Sequence, residues 1–235
     1  MRLLIRLVLP LLLLLPLGAP LQAAPAKAPP AAASAASETR AERDPMQDAL
    51  DAYDAGDLRA AARGFAALSA RQVPLADYNL AMMHIRGELP RPDLRRAQRL
   101  LERAAAHQFV SAEVALAQMA EQGLLGPRDQ AEANRWYARA ADHGSADAQV
   151  ALATAYYLGR GAPLDMAQAA HWYREAAKSG DVGAQYLLAS MYEAGLGLTQ
   201  DLRLARYWYD IAARNGDAAA PAKVQEMDKL LANAS

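Results

Sequence analysis

Apolar positions recur with helical spacing over most of this 235-residue chain. Between Ser145 and Gly180, Ala148, Leu152, Ala153 and Tyr156 fall at i, i+4, i+5 and i+8, which predicts an amphipathic helix. Gly159 stops it, because glycine enters the left-handed region without a Cβ clash. Gly161 and Pro163 keep the connection non-helical. Asp165 then starts a second helix as its cap or first-turn acid. Ala169, Trp172, Tyr173, Ala176 and Ala177 form the buried stripe of that helix, and Gly180 closes the segment.

The same pattern recurs every 36 residues without gaps, over Phe109–Gly144, Ser145–Gly180 and Asp181–Gly216. Leu116, Leu152 and Leu188 coincide, as do Gly123, Gly159 and Gly195, then Asp129, Asp165 and Asp201. Trp136-Tyr137, Trp172-Tyr173 and Trp208-Tyr209 coincide as well, each followed by an Ala-Ala pair and a closing glycine. Val73–Gln108 is a degenerate first member, with Leu100-Leu101 in place of Trp-Tyr. Met46–Gln72 reads as a shorter helix pair with a tighter turn. Extending the period forward makes residues 217–235 half a repeat, whose one helix has Val224, Met227, Leu230 and Leu231 on one side and Lys223, Gln225, Glu226, Asp228 and Lys229 on the other. One pair buries too little surface to stand alone, so stacking of neighbours supplies the core.

The first residues read differently. Arg2 and Arg6 are followed by an apolar run ending at Leu17, shorter than the ~20 residues a bilayer span needs. Small residues follow at Ala19, Ala23 and Ala24, so residues 1–23 are expected to be a cleavable signal peptide and the destination a periplasm. Residues 24–44 are Ala/Pro/Ser-rich, with no aromatic or large aliphatic side chain before Asp44, and read as a disordered tether.

Composition narrows the choice of chemistry. Aromatic residues make up 6% of the chain, which favours packed helices over sheets. No cysteine is present, which excludes a disulfide scaffold, a thiolate nucleophile and Cys-ligated metal. With 25 basic and 26 acidic side chains, the basic footprint of a nucleic-acid binder is missing.

The motif A-x-A-x-x-x-L-(A/G)-x-x-Y-x-x-G-x-G-x-x-x-D-x-x-x-A-x-x-W-Y-x-x-A-A-x-x-G resembles the Sel1-like repeat, a relative of the tetratricopeptide repeat. It is cleanest in Ser145–Gly180 and Asp181–Gly216. His84 and Ala120 replace the helix tyrosine in the earlier copies. Leu125 replaces the second loop glycine, with Gly126 as a candidate substitute. The resemblance implies an all-α fold, a right-handed α-solenoid of stacked antiparallel helix pairs. The divisions are 45–72, 73–108, 109–144, 145–180 and 181–216, with a C-terminal capping helix over 217–235. It implies an interaction module rather than an enzyme: an adaptor, scaffold or regulator that binds a protein or peptide in the cell envelope. No cofactor or metal is implied. The alternative is an envelope enzyme, or a binder of cell-wall fragments or β-lactams. The cysteines of the relatives for which that is reported are missing here.

In tetratricopeptide-like arrays the first helix of each pair lines a concave face. Carried onto this chain, that face comprises Tyr78, Met82 and Ile85, then Val114, Gln118 and Glu121, then Val150, Thr154 and Tyr157, and finally Tyr186, Ser190 and Glu193. Its tyrosines suit a protein groove, where rigid aromatics act as anchors. The competing reading is packing against the adjacent repeat.

Other candidates are weaker. No histidine pair has metal-ligand spacing. His107 and His143 sit at helix ends, where the dipole favours them, and His84 reads as a core residue. Gly159-Arg160-Gly161 follows a helix rather than a strand, so it reads as a turn and not a phosphate loop. Ser69/Asp77 and Ser190/Glu193 have no histidine base nearby in sequence. Arg91, Arg95, Arg96, Arg99 and Arg103 form a solvated face, or a contact for an anionic surface that would permit only peripheral membrane attachment.

Overall fold

The computed structural model describes residues 44–233. The expected signal peptide lies outside these residues, as does the Ala/Pro tether up to Asp44. The described residues form eleven helices and no strand: α1 (Pro45–Asp54), α2 (Leu58–Ala70), α3 (Pro74–Ile85), α4 (Leu94–Ala106), α5 (Val110–Gln122), α6 (Gln130–Asp142), α7 (Ala146–Leu158), α8 (Met166–Lys178), α9 (Val182–Ala194), α10 (Leu202–Arg214) and α11 (Ala220–Asn233). Each packs against the next, giving five pairs from α1/α2 to α9/α10 and a final single helix. This is an all-α repeat solenoid.

The helix starts follow from the sequence. Asp93, Asp129, Asp165 and Asp201 hold extended backbone, and each carboxylate accepts backbone N–H groups of the first turn of α4, α6, α8 or α10. Such a cap contributes about 1 kcal/mol. Ser145 and Asp181 cap α7 and α9 in the same way. The earlier copies lack this device: Val73 and Phe109 precede α3 and α5 with no side-chain cap.

The two loop glycines have different jobs. Gly159 and Gly195 end α7 and α9 at φ 66° and 67°. Gly161 and Gly197 instead allow contact with the preceding repeat. A Cβ on Gly161 would lie 2.6 Å from the carbonyl carbon of Gln130, at the start of α6. Gly197 meets Met166, at the start of α8, in the same way. Gly126 does not substitute for the glycine missing from the α5–α6 loop, because it lacks positive φ and a Cβ added to it would meet nothing within 4 Å. A cavity of about 230 Å³ opens beside that loop, lined by Gln98 of α4 and by Leu116, Met119, Leu125, Glu132 and Trp136.

The first helices carry apolar residues all round, the mark of a sandwiched helix. Ala76, Ala112, Ala148 and Ala184 hold one repeat position and are fully buried. Ala220 holds it again in α11, and Met227 is buried where α9 has Met191. The last helix is therefore a first helix, with no second helix after it among the described residues. At the position of Ala81, Ala117, Ala153 and Ala189, all 0% exposed, it carries the exposed Gln225. Trp172 touches the cores of its own and the preceding repeat, and Trp208 does the same.

Candidate functional site

Eleven of the twelve stripe residues remain partly exposed along α3, α5, α7 and α9. Met82 does not, at 3% exposure. Its counterparts Gln118, Thr154 and Ser190 are polar and stay part-exposed, whereas an unbranched thioether chain gains by filling a gap between helices. None of the twelve lines the cavity beside the α5–α6 loop.

Behind the stripe stand the tyrosines of the Trp-Tyr pairs, which sequence reading assigned to packing. Tyr137, Tyr173 and Tyr209 are buried, but each hydroxyl reaches a residue of the stripe. Tyr137 donates to Glu121 Oε2 at 3.0 Å, and Tyr209 donates to Glu193 Oε2 at 2.6 Å. In the repeat between them, the Tyr173 hydroxyl lies 2.9 Å from Thr154 Oγ1. Burial pushes all three phenols up, Tyr173 to about 12. The neighbouring carboxylates add to this at Tyr137 and Tyr209. Tyr78, Tyr157 and Tyr186 of the stripe are also raised, first by burial.

The far end of the stripe is occupied from within the chain. Lys223 of α11 donates from Nζ to Glu193 Oε1 at 2.9 Å and stands 6.0 Å from the centre of the Tyr209 ring. Burial opposes the charge on Lys223, but its hydrogen bonds to Glu193 and Glu226 outweigh that and raise its pKa. The Tyr186 ring packs edge-on against Tyr209, with centroids 5.0 Å apart.

A second polar row, not foreseen from the sequence, ties the repeats together. Asp77, Glu113, Gln149 and Gln185 occupy one repeat position and are all buried. Each serves a backbone carbonyl near the C-terminus of the preceding second helix. Gln149 and Gln185 donate directly to Ala141 O and Ala177 O, both at 3.2 Å. In the earlier repeats an arginine reaches the carbonyl and the acid holds the arginine. Arg103 pairs with Asp77 and donates to Ser69 O at 3.0 Å and to Ser69 Oγ at 2.7 Å. Arg139 lies 3.1 Å from Glu113 Oε1 and donates to Ala105 O, also at 3.1 Å. The signal for this row was the recurrence of polar residues inside an otherwise apolar helix. Ser69 and Asp77 are thereby both held by Arg103, the acid as its ion-pair partner and the hydroxyl as a hydrogen-bond acceptor.

The histidines fall into ordinary roles. His107 and His143 cap α4 and α6, and His143 Nδ1 lies 2.8 Å from Glu113 Oε2. His84 is buried and accepts the Asp93 N–H at 3.1 Å; burial and Arg96 lower its pKa. Among the described residues there is no cluster of metal-ligating side chains, and no helix long and apolar enough to cross a membrane.

The family model described as Sel1 repeat matches residues 74–109, 110–145, 146–181 and 182–217, one residue downstream of the windows read from the sequence. Among solved structures, the chain is similar to a protective antigen present in uropathogenic Escherichia coli strains that displays an SLR fold. The identity is 30% over 68% of this chain and 34% of that one, with a TM-score of 0.62. It is also similar to a Sel1 repeat protein from Oxalobacter formigenes, at 31% identity over 79% of this chain and 50% of that one, with a TM-score of 0.63. The chain thus corresponds to between a third and a half of the length of these relatives. No curated protein matches by sequence. Four consecutive matched repeats cover more than half of the chain and fall on the capped helix pairs described above; the chain belongs to the Sel1 repeat family.

Proposed function

We propose that this protein is an exported cell-envelope component that binds another protein through the stripe on α3, α5, α7 and α9, acting as adaptor, scaffold or regulator. Sel1 repeats generally mediate protein–protein interaction. The observation that carries the finer reading is the stripe itself. In α3, α5, α7 and α9 eleven of the twelve stripe residues, a mixture of tyrosine, aliphatic, neutral polar and acidic side chains, stay part-open in successive repeats. The row is held from behind by hydrogen-bonded tyrosines, so its side chains are ordered before a partner arrives, which lowers the entropic cost of binding. We read the role as presentation, not catalysis. The periplasmic location rests on Arg2, Arg6 and the apolar run that follows them.

In-cell photocrosslinking tests the reading. A crosslinking amino acid is placed at Tyr157 or at Tyr186, with Arg135 on the exposed side of α6 as control. A discrete adduct at the tyrosine positions alone, recovered from the periplasmic fraction, is the expected result. Equal labelling at Arg135, or adducts only in the cytoplasmic fraction, would overturn it.

A further inference from the structure

We propose that the Glu121–Tyr137 pair is a receptor for a lysine or arginine side chain of the partner. This inference deepens the protein-binding reading and rests on it.

The argument starts from Lys223. At the end of the array the chain supplies its own cation to a buried tyrosine and a half-buried glutamate. The lysine takes one carboxylate oxygen of Glu193 while the tyrosine hydroxyl takes the other. The aromatic face adds attraction for the cation. Two repeats earlier, Glu121 and Tyr137 hold the same positions and make the same hydroxyl–carboxylate bond, at 3.0 Å. The residue corresponding to Lys223 is there Ala151 of α7, which packs against the cluster containing Tyr137.

The intervening repeat shows that this opening is particular. In that copy the corresponding residue is Leu187, which packs in the cluster with Tyr173, and Tyr157 replaces the glutamate. That copy lacks the carboxylate, and a leucine stands at the position from which Lys223 reaches its acid. The first repeat has Ile85 and Leu101 at these positions. Among the described repeats, only the second combines the acid, the phenol and a methyl-sized neighbour. A primary ammonium or a guanidinium entering over Ala151 would meet the glutamate and tyrosine that Lys223 meets, with Thr154 at the position from which Glu226 gives Lys223 a second carboxylate. The tyrosine bond fixes the carboxylate rotamer in advance, so an incoming cation finds an ordered acceptor.

The test uses the purified protein and penta-lysine amide as probe, followed by amide chemical shifts. Shifts centred on Glu121, Tyr137 and Ala151 are expected. Affinity is expected to fall at least about tenfold in Glu121→Gln, the loss of one charge-assisted hydrogen bond, and to be unchanged in Glu102→Gln on the exposed side of α4. Ala151→Lys supplies the cation from within. It should block the probe equally while melting no lower than the parent, which separates occupancy from unfolding. Shifts spread over the acidic surface and unaffected by Glu121→Gln would overturn the inference, as would absence of binding. If penta-lysine fails while the Tyr157 adduct persists in cells, the cation receptor falls and the protein-binding reading stands. If the adduct is missing too, both fall.

Discussion

Replacing Gly161 by alanine probes what holds one repeat against the next. Two separate costs arise. The backbone sits at φ +65°, where an alanine costs about 1 kcal/mol relative to glycine. The new Cβ would also lie 2.6 Å and 2.7 Å from the carbonyl carbon and oxygen of Gln130, and 2.8 Å from the nitrogen of Ala131. These are backbone atoms at the capped start of α6, so no rotamer change relieves the overlap. The α7–α8 loop must lift away from α6, and overpacking of this kind costs about 1–3 kcal/mol. The expected total is therefore about 2–4 kcal/mol. Gly180→Ala is the control: φ is +95°, but nothing lies within 4 Å of its Cβ, so only the backbone cost applies. At about 2–4 °C per kcal/mol for a domain of this size, Gly180→Ala should lower Tm by about 2–4 °C and Gly161→Ala by about 4–16 °C. Thermal unfolding followed by circular dichroism reads both. Equal drops would refute the claim that the second loop glycine is an inter-repeat contact.

Other consequences follow from the polar rows. Glu113→Gln should cost less than about 1 kcal/mol, because glutamine is the solution used at Gln149 and Gln185; Glu113→Ala should cost about 2 kcal/mol or more, because it empties a fully buried side-chain site as well as removing the charge. Urea unfolding of the pair measures the difference. Gln149→Glu should be the reverse case: its repeat has Glu175 where the earlier ones have Arg103 and Arg139, so a buried acid would lack a cation. Its folded pKa would be raised by burial, so the variant should be destabilised at neutral pH and recover toward the parent as pH falls. Lys223, Tyr137, Tyr173 and Tyr209 all hold their protons more tightly when folded. Their contribution is complete below the ordinary values of 10.0 and 10.5 and is lost as pH rises through the raised ones. Alkaline unfolding should therefore coincide with the main rise in phenolate absorbance, and Lys223→Met should weaken its dependence on pH.

What was legible in the sequence was whatever repeats with a local cause. Asp165 at a helix start, Gly159 at a helix end and Ala148 under a neighbour each answer to their own backbone or to residues one turn away. The polar row was missed for a different reason. Asp77 or Gln149 looks like a surface residue when a helix is assumed to have one buried stripe, but these helices are enclosed on several sides. Their partners, Arg103 for Asp77 and Ala141 O for Gln149, lie on other helices that helical periodicity does not point to. Met82 shows the opposite error. Its register matches Gln118 and Thr154, yet its own chemistry, not its register, sends it inward. Gly126 was assigned a role by proximity in sequence, when the role required positive φ and a backbone neighbour. Lys223 could not be connected to Glu193, because the half-repeat register of 217–235 gives the place of α11 in the stack but not which side chains of α9 it meets.

That register bears on what the outer side of α11 can accept. A stack in which each unit templates the next has no intrinsic end, and a last surface shaped like an internal one would accept a second molecule head to tail, building an open filament. Here α11 presents the exposed Gln225 where the interior has alanine packed on the following helix. A further chain arriving there would have to desolvate an amide at a position built for a methyl group. The outer side of α11 thus departs from an internal one in a side chain and not in the spacing of the repeat. Gln225→Ala would give that position its interior form and is expected to favour head-to-tail association, read by light scattering as mass that grows with concentration.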